Sequence, residues 1–153
     1  MRPISMIHCG FAVALLVAGS APAFAQDKAP MSTLALEKAP KGAKVFIVSP
    51  KDGAKVGQDV TVEFGVEGIA LAPATEPKPD SGHHHLLIDN KDLPALDAPI
   101  PNDATHKHYG KAQTSDTVHL EPGTHTLQLD LGDARHQQFD PPIVSKKITI
   151  HVK

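Results

Sequence analysis

The residues of this chain best suited to chemistry are its histidines. The segment SGHHHLLIDN at residues 81–90 sets His83, His84 and His85 side by side, well inside the chain. His106 and His108 form a second group in ATHKHYG at residues 104–110, and His136 follows in GDARHQQFD. Residues i and i+2 on a strand lie about 6.6 Å apart with parallel side chains, so an HxH pair can converge two imidazoles on one ion. One such pair is a weak signal. Two pairs and a further histidine predict a nitrogen-rich metal site built from His83, His85, His106, His108 and His136.

Period two decides which imidazoles face which way. In THTLQLDL at residues 124–131, Leu127, Leu129 and Leu131 must face the core, which places His125 on the inner side too. A faint internal repeat aligns Gly82-x-His84-x-Leu86-x-Ile88-Asp89 with Gly123-x-His125-x-Leu127-x-Leu129-Asp130. By that repeat His84 points inward with Leu86 and Ile88, while His83 and His85 share the opposite face. His125 follows a Pro-Gly turn, as does the corner tyrosine of immunoglobulin-like domains that bonds backbone. It is therefore expected to be structural before it is a ligand. Asp80, Asp89 and Asp133 are the acids able to complete a shell or to orient a ring from behind. His84, His125, Asp89 and Asp133 are thus the secondary candidates.

The elements that must carry these side chains read as β-structure. KVFIV at residues 44–48, DVTVEFGV at 59–66, HHLLID at 84–89, TVHL at 117–120, THTLQLDL and IVSKKITIHV at 143–152 are predicted strands, and no long amphipathic helix is visible. Their spacing of roughly 10 residues predicts an all-β fold, an immunoglobulin-like antiparallel β-sandwich of about seven strands. Two proline-rich loops, residues 67–82 and 90–104, interrupt it and should lie on the surface. In that strand order the loop before His83, the loop after Leu131 and the HKH segment meet at one end. His119 and His125 fall at the other end, and His151 stands alone near the C-terminus.

The first 25 residues carry Arg2, an apolar run from Ile7 to Ala18 and the small-x-small Ala23-Phe24-Ala25. They read as a secretory signal cleaved before Gln26, giving a periplasmic or secreted protein. The run is too short to span a bilayer comfortably. Residues 26–43 read as an arm or linker with a short helical piece near 33–38, and residues 44–153 as the histidine-rich domain. The single cysteine, Cys9, lies in the leader, so the exported chain would hold no disulfide and no thiolate ligand. A net charge of −2 offers no basic patch for nucleic acid or membrane lipid.

A site without thiolates suits Cu(II) or Zn(II), and the Irving–Williams order puts copper first at equal geometry. Imidazole must be neutral to bind, so affinity should fall below about pH 6. The expected partners are the ion and a second periplasmic protein that exchanges it. Three other readings fit the same residues: a metal-free hydrogen-bond network in an envelope interaction module, an anion or sugar site using Lys111, Gln113 and Arg135, and a copper or zinc redox enzyme. No nucleophile motif is present.

The segments FIVSPKDGAKV, GHHHLLID, HKHYGKAQT, PGTHTLQL and GDARHQQFDPPIVSKKITIHV together resemble a bacterial exported domain family of unknown function, some of whose members carry a mistaken rod-shape-determining label. The resemblance spans roughly residues 44–153. It implies a histidine-rich periplasmic β-domain and no particular activity. Members often have phenylalanine where this chain has Tyr109.

Overall fold

A computed structural model describes residues 35–153; the predicted leader and the first half of the predicted arm lie outside the described residues. The described residues form nine strands and no helix: β1 (Lys44–Ser49), β2 (Ala54–Val56), β3 (Asp59–Glu67), β4 (Ala70–Leu71), β5 (Ser81–Ile88), β6 (His106–His108), β7 (Ser115–His119), β8 (Gly123–Gly132) and β9 (Ile148–Val152). One sheet has the order β1-β3-β7 and is antiparallel throughout. The other has the order β2-β9-β8-β5-β4, with β6 also paired to β5. Strands β1, β3 and β7 take the A, B and E places of an immunoglobulin-like sandwich, and β5, β8 and β9 take C, F and G.

Alternation explains why these strands face each other. Val60, Val62 and Phe64 bury alternate positions of β3, with Thr61 and Glu63 exposed between them. Leu86 and Ile88 of β5, Leu127, Leu129 and Leu131 of β8, and Ile148, Ile150 and Val152 of β9 complete the core from the second sheet. Removing this apolar surface from water is the main term holding the sheets together, at about 25 cal/mol per Å².

Three features depart from the reading of the sequence. β2 and β4 are extra short strands, one inside the turn-rich connection after β1 and one inside the first proline-rich loop. The last predicted strand is broken. Val144 pairs with Asp130, whereas Ile148 pairs with Leu127, so the register slips across Lys146 and Lys147. There the Ser145 hydroxyl accepts the Leu129 N–H at 2.8 Å, replacing a ladder bond with a side-chain bond. Finally, residues 35–38 are not helical, and Lys38 and Ala39 run alongside Asp140.

Both long loops fold onto the outer face of the second sheet. Ala74 N–H bonds Gly110 O at 3.0 Å, and Ile100 N–H bonds His136 O at 2.6 Å. All eight residues of β5 are consequently buried, on both faces.

Candidate metal centre

The two faces of β5 sort its histidines. His84 faces the core beside Leu86 and Ile88, its ring 5.3 Å from that of Phe64. His83 and His85 face the other way, against Gly132 and Asp130 of β8. β6 pairs antiparallel with β5 and sets His108 opposite His85. His136 arrives from the turn after β8. Asp133 shapes that turn, accepting the N–H groups of Arg135 and Gln137 at 2.7 and 3.0 Å. His136 takes a left-handed conformation, φ 63°, and its ring lies against His108.

Four imidazoles thus converge. Centroid separations are 4.8 Å for His83–His85, 4.9 Å for His83–His108, 5.0 Å for His83–His136, 5.2 Å for His85–His108, 4.7 Å for His108–His136 and 6.0 Å for His85–His136. Ring nitrogens of His83, His85 and His108 lie within 4.8 Å of one another. The Nε2 atoms of His108 and His136 are 3.1 Å apart. An ion about 2.1 Å from each of four nitrogens would set tetrahedral ring centroids roughly 5.2 Å apart and the nitrogens roughly 3.3 Å apart. Five of the six centroid separations fall within about 0.5 Å of that spacing, whereas the nitrogens of His83, His85 and His108, within 4.8 Å of one another, would have to draw in on the ion.

Burial sets the charge state. His83 and His85 are fully enclosed. Burial pushes the His83 pKa down to about 4, helped by the neighbouring His108 and His136 and opposed by Asp133. His85 falls to about 2, through burial first and then through His83, His108 and His136. His108 is lowered too, by burial and by His136. These rings are therefore neutral at pH 7, the form that binds a metal. Neither nitrogen of His83 or of His85 has a hydrogen-bond partner among the described residues. A buried polar atom left that way costs about 1–3 kcal/mol, a cost that coordination would remove for one nitrogen of each ring.

Glycine makes room for the rings. A Cβ on Gly110 would overlap the His108 ring, and one on Gly132 would sit 2.8 Å from Cε1 of His85.

Not all of the predicted ligands join. His106 lies on the same face of the sheet but opposite Leu87. Asn90 Nδ2 meets its Nε2 at 2.6 Å and Asp103 Oδ1 meets its Nδ1 at 2.9 Å. Both ring nitrogens are thus engaged, and five converging histidines become four. Asp89, held at φ 57°, sits at the far end of β5 and takes the His125 ring at 2.7 Å. His125 also bonds Glu121 O at 2.8 Å, the backbone bond of a corner residue. Asp133 lies behind His136, its carboxylate paired with Arg135 at 2.7 Å.

Sequence reasoning missed Asp130 and Gln138, both fully buried beside the cluster and joined by a hydrogen bond from Gln138 Nε2 to Asp130 Oδ2. The signal was present: if Leu129 and Leu131 face the core, Asp130 must share the outer face with His83 and His85.

Fold and site define an immunoglobulin-like sandwich with a four-histidine cluster at one end, two of its rings buried and two half-buried. The chain belongs to the family described as Domain of unknown function (DUF4399), whose profile matches residues 62–153 and so includes all four clustered histidines. No curated protein and no solved structure matches it.

Proposed function

We propose that this protein binds a transition-metal ion through His83, His85, His108 and His136, and that it serves metal handling or delivery in the bacterial envelope. The observation that carries the reading is the mutual approach of four rings, two of them buried with no other partner for either nitrogen. A metal-free network accounts for the His108–His136 contact but leaves His83 and His85 unsatisfied. Zn(II) fits best. A square Cu(II) site needs two long diagonals of roughly 6.4 Å between ring centroids. Only His85–His136, at 6.0 Å, approaches that length. The Irving–Williams order keeps copper the strongest competitor. Four protein ligands fill a tetrahedral shell, which favours holding an ion over turning over a substrate.

Export rests on the leader-like first 25 residues, and fractionation of cells expressing the full chain tests it. Calorimetric titration of Zn(II) and Cu(II) into the chain tests the binding. We expect one ion per chain at pH 7.5. A Kd weaker than about 10 μM for both ions, or undiminished binding after replacing all four histidines, would overturn the proposal.

A further inference from the structure

One buried group beside the cluster has no counter-charge. Asp133 is enclosed but paired with Arg135. Asp130 is fully buried and forms no salt bridge among the described residues. Its Oδ2 is held by Gln138 Nε2, and its Oδ1 has no partner. Asp130 stands directly across from His85 in the antiparallel β5–β8 ladder. Such pairs share a face, with Cβ atoms about 4.5–5.5 Å apart. His85 is itself buried with both nitrogens unpartnered, one more than a single ion can occupy. Two unsatisfied groups, one an acceptor and one able to donate, therefore stand side by side on one sheet face at the same ladder position.

We propose that Asp130 is the positioning carboxylate of this centre. With an ion bound it would accept the N–H of the His85 ring nitrogen turned away from that ion, a bond not formed among the described residues, while Gln138 fixes the plane of the carboxylate. The inference rests on the metal reading above and deepens it. A ligating imidazole commonly donates its second N–H to a carboxylate, which fixes the tautomer and strengthens the ligand. Charge points the same way. Four neutral imidazoles add none, so a divalent ion would otherwise lie buried with no nearby anion left free to offset it. Burial raises the Asp130 carboxyl to about 7, and once ionised beside a bound cation it would supply one negative charge to the same enclosed space. Its place near the C-terminal end of β8, paired with His85 on one side and bridged to Val144 on the other, keeps its backbone fixed.

The test is Asp130→Asn in the full chain, a change that preserves shape and removes the charge. Zinc affinity is measured by competition with a chromophoric chelator. The side-chain N–H of His85 is followed by NMR in zinc-loaded, 15N-histidine-labelled protein. Circular dichroism of the apo chain verifies the fold. The expected result is a folded variant binding zinc about 10- to 100-fold more weakly, with the exchange-protected His85 N–H signal shifted or lost. Affinity equal to that of the unsubstituted chain, with that signal unchanged, overturns the inference. Should Asp130→Asn fail to fold, Gln138→Leu leaves the carboxylate in place without its anchor. A smaller loss of affinity with a shifted His85 N–H is then expected, and no change in either overturns the role. An unsubstituted chain that binds no zinc and no copper removes the metal reading itself, an outcome distinct from the failure of Asp130 alone.

Discussion

The histidines at the two ends of the sandwich live in opposite surroundings. Beyond the C-terminal end of β5, His125 bonds the Asp89 carboxylate at 2.7 Å and a backbone carbonyl at 2.8 Å, and His119 nearby bonds Asp59 at 2.8 Å. At the N-terminal end of the same strand, His83 and His85 meet chiefly other imidazoles. The acid partners raise the pKa of His119 and His125. Burial and mutual repulsion lower those of His83, His85 and His108. One residue type thus serves two purposes, and the neighbours decide which. An imidazole donating through both nitrogens is an imidazolium tying down a corner. Neutral imidazoles with free nitrogens that face one another are the candidate ligands, whereas His84, equally unpartnered, faces the core against Phe64.

The sharpest way to break this contrast is to truncate one histidine at each end. His85→Ala should weaken zinc binding about 100- to 1,000-fold, because one of four bonds is lost from a site worth roughly 10–16 kcal/mol. His125→Ala should leave zinc binding unchanged and cost about 1–2 kcal/mol of folding stability through its two lost hydrogen bonds. Calorimetry and urea titration read the two effects, and equal loss of affinity in both variants would erase the distinction.

Saturating zinc should raise the thermal midpoint by roughly 10 °C, with ion at about 1,000 times Kd adding about 4 kcal/mol, and chelator should reverse the rise. Differential scanning fluorimetry is sufficient to detect it.

Acid should act on the two ends with opposite sign. His83 and His85 have folded pKa values below the ordinary 6.5, as does the core-facing His84, pushed down to about 4 by burial. Their contribution to stability is complete above the unfolded value and is lost as pH falls from about 6.5 toward 4. His125 is raised, so its contribution is present below about 6.5 and fades as pH rises through the folded value. The apo chain should therefore unfold more easily in denaturant at pH 5 than at pH 7, and His125→Ala should deepen that acid loss.

Two smaller effects complete the series. Gly110→Ala should push the His108 ring aside and weaken zinc binding by about tenfold, within the 1–3 kcal/mol typical of overpacking. Asp59→Asn at the exposed His119 pair should change neither zinc affinity nor thermal midpoint measurably.

The face of each strand residue was legible before the structure. Period two put His84 with Leu86 and Ile88 and His83 with His85, because a ladder admits no other arrangement. The corner role of His125 was legible from the Pro-Gly turn before it. The exclusion of His106 was not: it shares a face with His108, and only the position of Asn90 and Asp103 across a folded loop shows that its ring is engaged. Asp130 was overlooked for the opposite reason. An acid in a strand reads as solvent-facing until it is known that two loops cover that surface. Nor does composition show the slip at Lys146 and Lys147, since a serine hydroxyl replacing a ladder bond leaves the apolar pattern unbroken.

The arrival of His136 from the turn after β8 has a mechanical consequence. An ion shared by His83, His108 and His136 ties three segments far apart in sequence at a single point, just where Ala74 and Ile100 dock their loops. In antibody domains a disulfide between the B and F strands supplies such a cross-link, and this chain's one cysteine, Cys9, has no mate. Closing a loop of roughly 50 residues in the unfolded chain is worth about 4 kcal/mol to a covalent bridge. A coordinated ion acts on the same entropy but can be withdrawn. With zinc bound, residues 67–80 and 90–104 should resist proteases; stripped of it, they should be where cleavage begins.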